Sequence, residues 1–330
     1  MDADTDKLRK KLRIAGLTEQ AVNAAWPSWW SESASGSASA QAELRFAVAR
    51  KLGVSAAALA RDEVEFVWRD QARFKHLRSE TSQEQAALAS YGVGIGNQVA
   101  AAVQGLPPLP VPPAADLRRA ILANRPFVDL TGLLGACWAL GVPVLHLRVF
   151  PLPGKFMHAM VVRAGVRSIV LLAKDAKYPA QVAFTLAHEL GHLALGHLAE
   201  GSAIVDLEAP ASGVDRDDEE IAADRFALEL LTGSPEPEIQ AQIPNPSGRA
   251  LATAVIEAGP PRGIEPGTLS LCFGYQTGNW SAANASLRHI YPNQQEVWSV
   301  VNAVAKREID WTSVSSDTED FLLRVMGLDE

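Results

Sequence analysis

The sequence has few cysteines and no long apolar run. Its 330 residues include only two cysteines, Cys137 and Cys272, which lie far apart. This excludes a disulfide framework and is typical of proteins from a reducing compartment. No apolar run approaches the 18 residues that a membrane span needs, and the charged start MDADTDKLRKKLR lacks the apolar stretch of a secretory signal. We therefore expect a cytoplasmic protein without a membrane partner.

The sequence also lacks an overall excess of positive charge. Its 30 Lys and Arg residues stand against 38 Asp and Glu residues, for a net charge of −8. Residues 7–78 form the basic part of the chain, whereas residues 200–220 are strongly acidic. A nucleic-acid-binding face is therefore expected only near the N-terminus.

Proline marks the first break in the chain. Five prolines lie within residues 105–113, which excludes a helix or a central strand there. Before this segment the periodicity predicts helices, including one over residues 62–78. The expected division is a helical domain over 1–104, a linker over 105–113, a catalytic domain over 114–235 and a C-terminal region over 236–330.

The third part of the chain combines strands and helices. Short β-rich runs predict three strands, and a turn around Gly165 predicts a hairpin between the second and the third. Two helices should follow, separated by an acidic loop. The predicted strands span 141–150, 155–165 and 167–173, and the predicted helices span 179–198 and 217–231.

The first of these two helices contains an HExxH motif, in the stretch FTLAHELGHLALGHL over residues 184–198. His188 and His192 are four residues apart and lie on one helical face, where both imidazoles can reach one zinc ion. Glu189 is rotated by about 100° from His188 and can act as a general base. His197 would be turned by about 140° off the ligand face of a continuing helix, so it is interpreted as a helix-end residue.

The third ligand is expected from the second helix. Glu220 and Asp224 share a helical face, so that Glu220 can bind the metal while Asp224 accepts the outer N–H of a ligand histidine. Glu219 and Asp217 remain alternatives to Glu220, since an acidic run also suits a helix N-terminus. Three protein ligands leave the fourth zinc position open to water, from which Glu189 can take a proton. An exposed strand edge at 167–173 is expected to pair with an extended peptide substrate.

The stretch VAFTLAHELGHLALGH, followed by EEIAADRFALELL, resembles the ImmA/IrrE-type metallopeptidases over residues 114–235. The resemblance implies a gluzincin-like zinc site of His188, His192 and Glu220, with Glu189 as the base. It also implies cleavage of a helix-turn-helix repressor and release of stress, DNA-damage or phage-defence genes. Asp224 stands where the family usually has Asn.

The expected fold class is therefore α+β. A helical N-terminal domain precedes a small zincin-like peptidase domain, in which a three-stranded sheet packs on the HExxH helix and the second ligand helix. A mixed C-terminal region completes the peptidase fold or docks the substrate.

The N-terminal region resembles a repressor-type helix-turn-helix only at its two ends. Pro27 and the Ser/Gly/Ala run after it disfavour a regular recognition helix. Trp26, Trp29 and Trp30 indicate either a small helical core or a stacking surface for an activating single-stranded DNA. Two other functions remain open: a DNA-binding regulator with a non-catalytic metal-sensing domain, and a broad-specificity processing peptidase.

The remaining candidate residues carry weaker signals. A thiolate of Cys137 or Cys272 could occupy the fourth zinc position, although a buried, inert cysteine is the commoner case. Several other side chains could assist a developing oxyanion, although each is more often structural: His146, His158, His289, Tyr178, Tyr275 and Tyr291.

Overall fold

A computed structural model describes residues 3–68, 72–75, 82–153, 157–198, 203–207, 218–239, 245–293 and 296–329. The described chain is an α+β fold, with fourteen α-helices and five strands in these residues. The helices are α1 (Ala3–Ile14), α2 (Glu19–Ala25), α3 (Ala38–Leu52), α4 (Ala56–Ala60), α5 (Ser82–Ala101), α6 (Ala114–Leu122), α7 (Leu130–Ala139), α8 (Pro179–Ala194), α9 (Asp218–Thr232), α10 (Gly248–Ala258), α11 (Pro266–Thr277), α12 (Trp280–Ile290), α13 (Val297–Glu308) and α14 (Ser316–Met326). The strands are β1 (Ala72–Lys75), β2 (Val144–His146), β3 (Met157–Ala164), β4 (Arg167–Leu172) and β5 (Ala203–Leu207).

The five strands form one mixed sheet in the order β1-β5-β3-β4-β2. The predicted hairpin is present, with β3 antiparallel to β4 and Gly165 at φ +61° in the turn between them. Two strands were not predicted. β1 lies inside the helix expected over 62–78, and β5 lies inside the expected acidic loop. β1 pairs in parallel with β5, so each strand is stabilised by a distant segment that local periodicity does not reveal.

The sheet order corrects the expected substrate-binding edge. β4 lies between β3 and β2, and the pairing of Val170 to Leu172 with β2 covers the side that was expected to be exposed. The strand edge predicted at 167–173 is therefore wrong. Among the described strands, β1 and β2 form the edges of the sheet.

Side chains alternate between the two faces of the sheet, as the strand period of two requires. On β3, Met160 and Val162 join a core with α1, α2, α3, α5 and α14, whereas Ala159 and Val161 join a second core with α6 to α9 and α13. The first core therefore contains residues from both sides of the proline-rich segment. The second core supports the helices that carry the HExxH motif and Glu220.

A third, smaller cluster joins α10, α11 and α12, and α11 contacts both α8 and α9. Tyr291, just after α12, donates a hydrogen bond to Glu265 Oε1 at 2.6 Å and stacks on Tyr178, which precedes α8. The guanidinium of Arg118 in α6 donates to the carbonyls of Leu230 and Leu231 at the end of α9. These contacts fix the two helices of the site at their ends.

Among the described residues, no helix is both long enough and apolar enough to cross a bilayer.

Candidate metal centre

Helix α8 begins at Pro179, whose fixed φ suits the first helical position. The side-chain Oε1 of Gln181 accepts the backbone N–H of Tyr178 at 3.2 Å and caps the helix. Val182, Leu186 and Leu190 are buried in the second core, as the apolar stripe of the helix predicts. This packing fixes the rotation of α8 and so the direction in which the motif faces.

Helix α9 crosses α8 at the glycine inside the motif. A Cβ atom added at Gly191 would lie 3.0 Å from both Cα and the carbonyl oxygen of Ala223 and 3.2 Å from Cβ of Phe226. Glycine accommodates this close backbone approach, whereas a Cβ atom would require its neighbours to shift by a few tenths of an ångström. The crossing brings the first turn of α9, with Glu220, next to His188 and His192.

His188, His192 and Glu220 form the one cluster of potential metal ligands found among the described residues. The Nε2 atoms of the two histidines are 3.1 Å apart. Glu220 Oε2 lies 3.4 Å from His188 Nε2, and Glu220 Oε1 lies 3.3 Å from His192 Nε2. All three side chains are buried, with His192 fully so.

These separations fit a tetrahedral zinc site. Zinc bonds to nitrogen and oxygen of 2.0–2.1 Å at tetrahedral angles place neighbouring ligand atoms about 3.3 Å apart. The observed separations of 3.1, 3.3 and 3.4 Å agree with that value. The three residues could therefore hold a metal ion without rearrangement, with two nitrogen donors and one carboxylate.

Asp224 lies one helical turn after Glu220 and contacts the outer nitrogen of His188. Nδ1 of His188 is 2.9 Å from Asp224 Oδ1, so the carboxylate accepts the Nδ1 proton and leaves Nε2 directed at the cluster. Burial lowers the pKa of His188, but its hydrogen bonds to Asp224 and Glu220 and the charge of Glu189 together raise that pKa to about 10. The surroundings of His188 therefore favour its protonated, positively charged form.

The same balance applies to the ionised form of Glu220. Burial opposes ionisation, but hydrogen bonds and opposite charge from His188 and His192 hold the pKa of Glu220 well below its ordinary value. Glu219 is only half-buried and is not part of the cluster, and Asp217 lies outside the described residues.

The end of α8 differs from the prediction. The helix ends at Ala194 rather than at residue 198, because Gly196 at φ +72° turns the chain back. The backbone N–H of His197 donates to the carbonyl of His192 at 3.0 Å, and that of Gly196 to Leu193, which is a Schellman motif. His197 Nδ1 then lies 2.8 Å from His192 Nδ1.

His197 is therefore more than a helix-end residue. A hydrogen bond between two ring nitrogens needs one proton, and with Nε2 of His192 in the cluster that proton belongs on its Nδ1. His192 thus donates to His197, as His188 donates to Asp224. Sequence reasoning missed this contact because it assumed that the helix continues, although Gly196 was the available signal.

Glu189 is fully buried beside the cluster. Its charge contributes to the raised pKa of His188, so the carboxylate lies within electrostatic range of that histidine. The structure therefore brings all five predicted site residues into one region between α8 and α9.

The other candidates are not part of this ligand cluster. Cys137 and Cys272 are buried, and burial raises the pKa of their thiols to about 12 and about 11. Neither belongs to a ligand cluster among the described residues. The oxyanion candidates divide by environment: buried His146 and Tyr178, half-buried His158 and Tyr291, and exposed His289 and Tyr275.

The N-terminal basic residues are largely engaged with neighbouring groups. Lys7 and Lys11 pair with Asp62. The guanidinium of Arg9 lies 3.9 Å from the centre of the Trp26 ring. Trp26 is buried, Trp30 packs against the first core and Trp29 is 38% exposed. Two of the three tryptophans, Trp26 and Trp30, therefore belong to the helical core or pack against it.

Comparison with known families gives one match. Residues 167–258 match the model of Peptidase U49, a segment that spans β4, α8, β5, α9 and α10. No curated protein and no solved structure matches the chain. The matched segment contains every residue of the cluster, and the match supports a protease function.

Proposed function

We propose that the chain is a zinc-dependent endopeptidase, and that it cleaves a partner helix-turn-helix repressor to release stress, DNA-damage or phage-defence genes. The observation that carries the peptidase part is the buried cluster of His188, His192 and Glu220, next to the carboxylate of Glu189 and within the peptidase match. The repressor as substrate rests on the resemblance of the motif regions to the ImmA/IrrE-type enzymes.

In this proposal His188, His192 and Glu220 hold the zinc ion, and Asp224 and His197 orient the two imidazoles. When bound, zinc would supply a Lewis acid and would lower the pKa of the attacking water. The carboxylate of Glu189 accepts a proton from the attacking water and returns it to the leaving amine nitrogen. Burial of Glu189 keeps its carboxylate from competing solvent.

Glu189→Gln tests the proposal because it preserves the shape of the side chain and removes the base. We expect the variant to bind one zinc ion per chain with unchanged affinity, and to cleave a repressor encoded beside its gene at least 100-fold more slowly. Glu257→Gln, at an exposed position of α10, is the matched control. Cleavage by Glu189→Gln at the wild-type rate would contradict the peptidase proposal and favour the DNA-binding regulator with a sensing domain.

A second pair of variants tests the choice of ligand. Glu220→Gln should lose stoichiometric zinc, whereas Glu219→Gln, one residue away on α9, should retain it. Metal content after gel filtration measures both. Retention of zinc by Glu220→Gln would move the third ligand to another carboxylate.

Single-stranded DNA as an activator is part of the proposal, and Trp29 is its stacking residue, because Trp29 is the exposed member of the aromatic group. Added oligonucleotides should increase the cleavage rate of the wild type but not of Trp29→Ala. An unchanged wild-type rate with added single strands would remove the activator from the proposal.

A further inference from the structure

A cavity of about 300 Å³ lies beside the N-terminal half of α8, the helix that carries the two histidines further along. It lies between the end of β4, the loop that follows β4 and the N-terminal half of α8. Its walls include His158, Leu172, Lys174, Lys177, Gln181 and Thr185.

The cavity lies on the face of α8 that carries the site. Gln181, Thr185 and Glu189 follow one another at intervals of four residues, and His188 is three residues after Thr185, so these side chains share one face. One helical turn rises about 5.4 Å, whereas consecutive peptide Cα atoms are about 3.8 Å apart. A side chain one or two residues from a peptide bond held at the centre therefore reaches the cavity.

A β-bulge provides one wall of the cavity. The register between β3 and β5 shifts between Met157 and Ala159, so His158 is the extra residue. Its carbonyl accepts the backbone N–H groups of both Ala173 and Lys174, and this ties the bulge to the loop after β4. Bulges of this kind redirect a side chain, and they are frequent next to active sites.

The cavity has a positive rim. Lys174 and Lys177 are exposed at its mouth, and Lys177 Nζ lies 5.6 Å from the centre of the Tyr178 ring. Asp175 is the one carboxylate in the lining, and it forms an ion pair with Arg148. The lysine charges therefore remain available for a ligand.

The opposite sign prevails one turn further along α8, where Glu189, Glu220 and Asp224 surround the two histidines. A substrate group that is negatively charged is attracted to the rim and repelled by these carboxylates when it lies on the centre itself.

We propose that this cavity binds a carboxylate of the substrate. Two sources share this chemistry: an Asp or Glu side chain within two residues of the cleaved bond, and the C-terminal carboxylate of a peptide. The inference rests on the proposed peptidase function and adds a substrate preference to it.

A peptide library tests the preference. The zinc-loaded full chain is incubated with a mixture of protein-derived peptides, half of which carry amidated C-termini, and the cut sites are read by mass spectrometry. Enrichment of Asp and Glu beside the cut in both halves assigns the side chain. Loss of cleavage in the amidated half assigns the C-terminal carboxylate.

Variants of Lys174 and Lys177 test whether these lysines cause the preference for carboxylates. An exposed ion pair is worth between about 1.4-fold and 5-fold in affinity, so the double variant Lys174→Glu and Lys177→Glu should lower the preference for carboxylates on the order of tenfold. Lys306→Glu, at an exposed position of α13, is the matched control. Cleavage by the wild type without any carboxylate preference would overturn the inference and leave the peptidase function intact.

A binding measurement tests the carboxylate site independently of peptide cleavage. Fluorescent peptides that differ only by Glu or Gln at one position are titrated against Glu189→Gln, and anisotropy reports the affinity. Tighter binding of the Glu peptide, lost in the double lysine variant, supports the cavity even if no peptide is cut. Equal binding of both peptides overturns it, whereas a complete lack of cleavage by the zinc-loaded wild type counts against the peptidase function.

Discussion

His197→Ala should weaken zinc binding without unfolding the protein. The ring of His197 accepts the outer proton of His192 at 2.8 Å, and His192 is fully buried. Removal of the ring leaves that N–H without its acceptor and frees the imidazole of His192 to rotate. Because His197 lies after the end of α8, the helix itself should form normally.

The expected loss of zinc affinity depends on which group accepts the outer proton of each ligand histidine. A net hydrogen bond between neutral groups contributes about 0.5–1.5 kcal/mol, which is about 2- to 13-fold in affinity. The hydrogen bond of His188 to the carboxylate of Asp224 is charge-assisted and contributes about 1.5–3 kcal/mol, or about 13- to 160-fold. The zinc affinity of Asp224→Ala should therefore fall further than that of His197→Ala.

Competition with a chromophoric chelator measures both affinities, and the cobalt absorption spectrum reports the coordination geometry. His289→Ala, an exposed histidine on α12, is the control. Thermal unfolding in excess chelator should leave His289→Ala close to the wild type, and should show one cooperative transition for the other two variants, which demonstrates that they fold. Wild-type zinc affinity and an unaltered cobalt spectrum in His197→Ala would refute the orienting role of the ring.

Three further predictions concern stability. Lys51 is fully buried 2.6 Å from Asp317, so Asp317→Asn should cost about 3–5 kcal/mol in urea unfolding, whereas the double change to Met and Leu should cost less than this single change. Burial lowers the pKa of His146, so the unfolded state binds its proton more readily. As the pH drops below 6.5, the ordinary pKa of histidine, His146 should therefore lower the free energy of unfolding by at most about 1.4 kcal/mol per pH unit. His146→Gln should reduce this slope. The Cβ atom added by Gly196→Ala would meet no atom within 4 Å, so the variant should be destabilised only by the strain of about 1–2 kcal/mol that a left-handed backbone imposes on alanine. An unchanged midpoint of urea unfolding would contradict this prediction.

The local parts of the site could be predicted from the sequence. The spacing of His188 and His192, like that of Glu220 and Asp224, fixes their shared helical faces by helix geometry alone. The choice among the three acidic neighbours needed the crossing of α8 and α9, which is a tertiary contact. The three strands around the predicted hairpin were found because their partners are close in sequence.

The distant parts could not be predicted in the same way. β1 and β5 contain four and five residues, and they pair in parallel across more than 120 positions of the chain. Such short strands carry little periodicity of their own, and their pairing depends on the rest of the sheet. The edge expected on β4 was wrong because β2, although predicted as a strand, pairs with β4 on that side.

Gly191 connects the local HExxH motif with the tertiary crossing of α8 and α9. Its position between the ligand histidines allows the backbone of α9 at Ala223 to lie against α8. Glu220 is three residues before Ala223 and Glu219 is four, so helix geometry places both near the face of α9 that meets α8. Only Glu220 is buried and belongs to the cluster, whereas Glu219 is half-buried. The close crossing at Gly191 therefore supports the separation of 3.3–3.4 Å between Glu220 and the two imidazoles. A Cβ atom at this position requires a shift of a few tenths of an ångström at Ala223 or Phe226, and so disturbs the crossing that positions the third ligand.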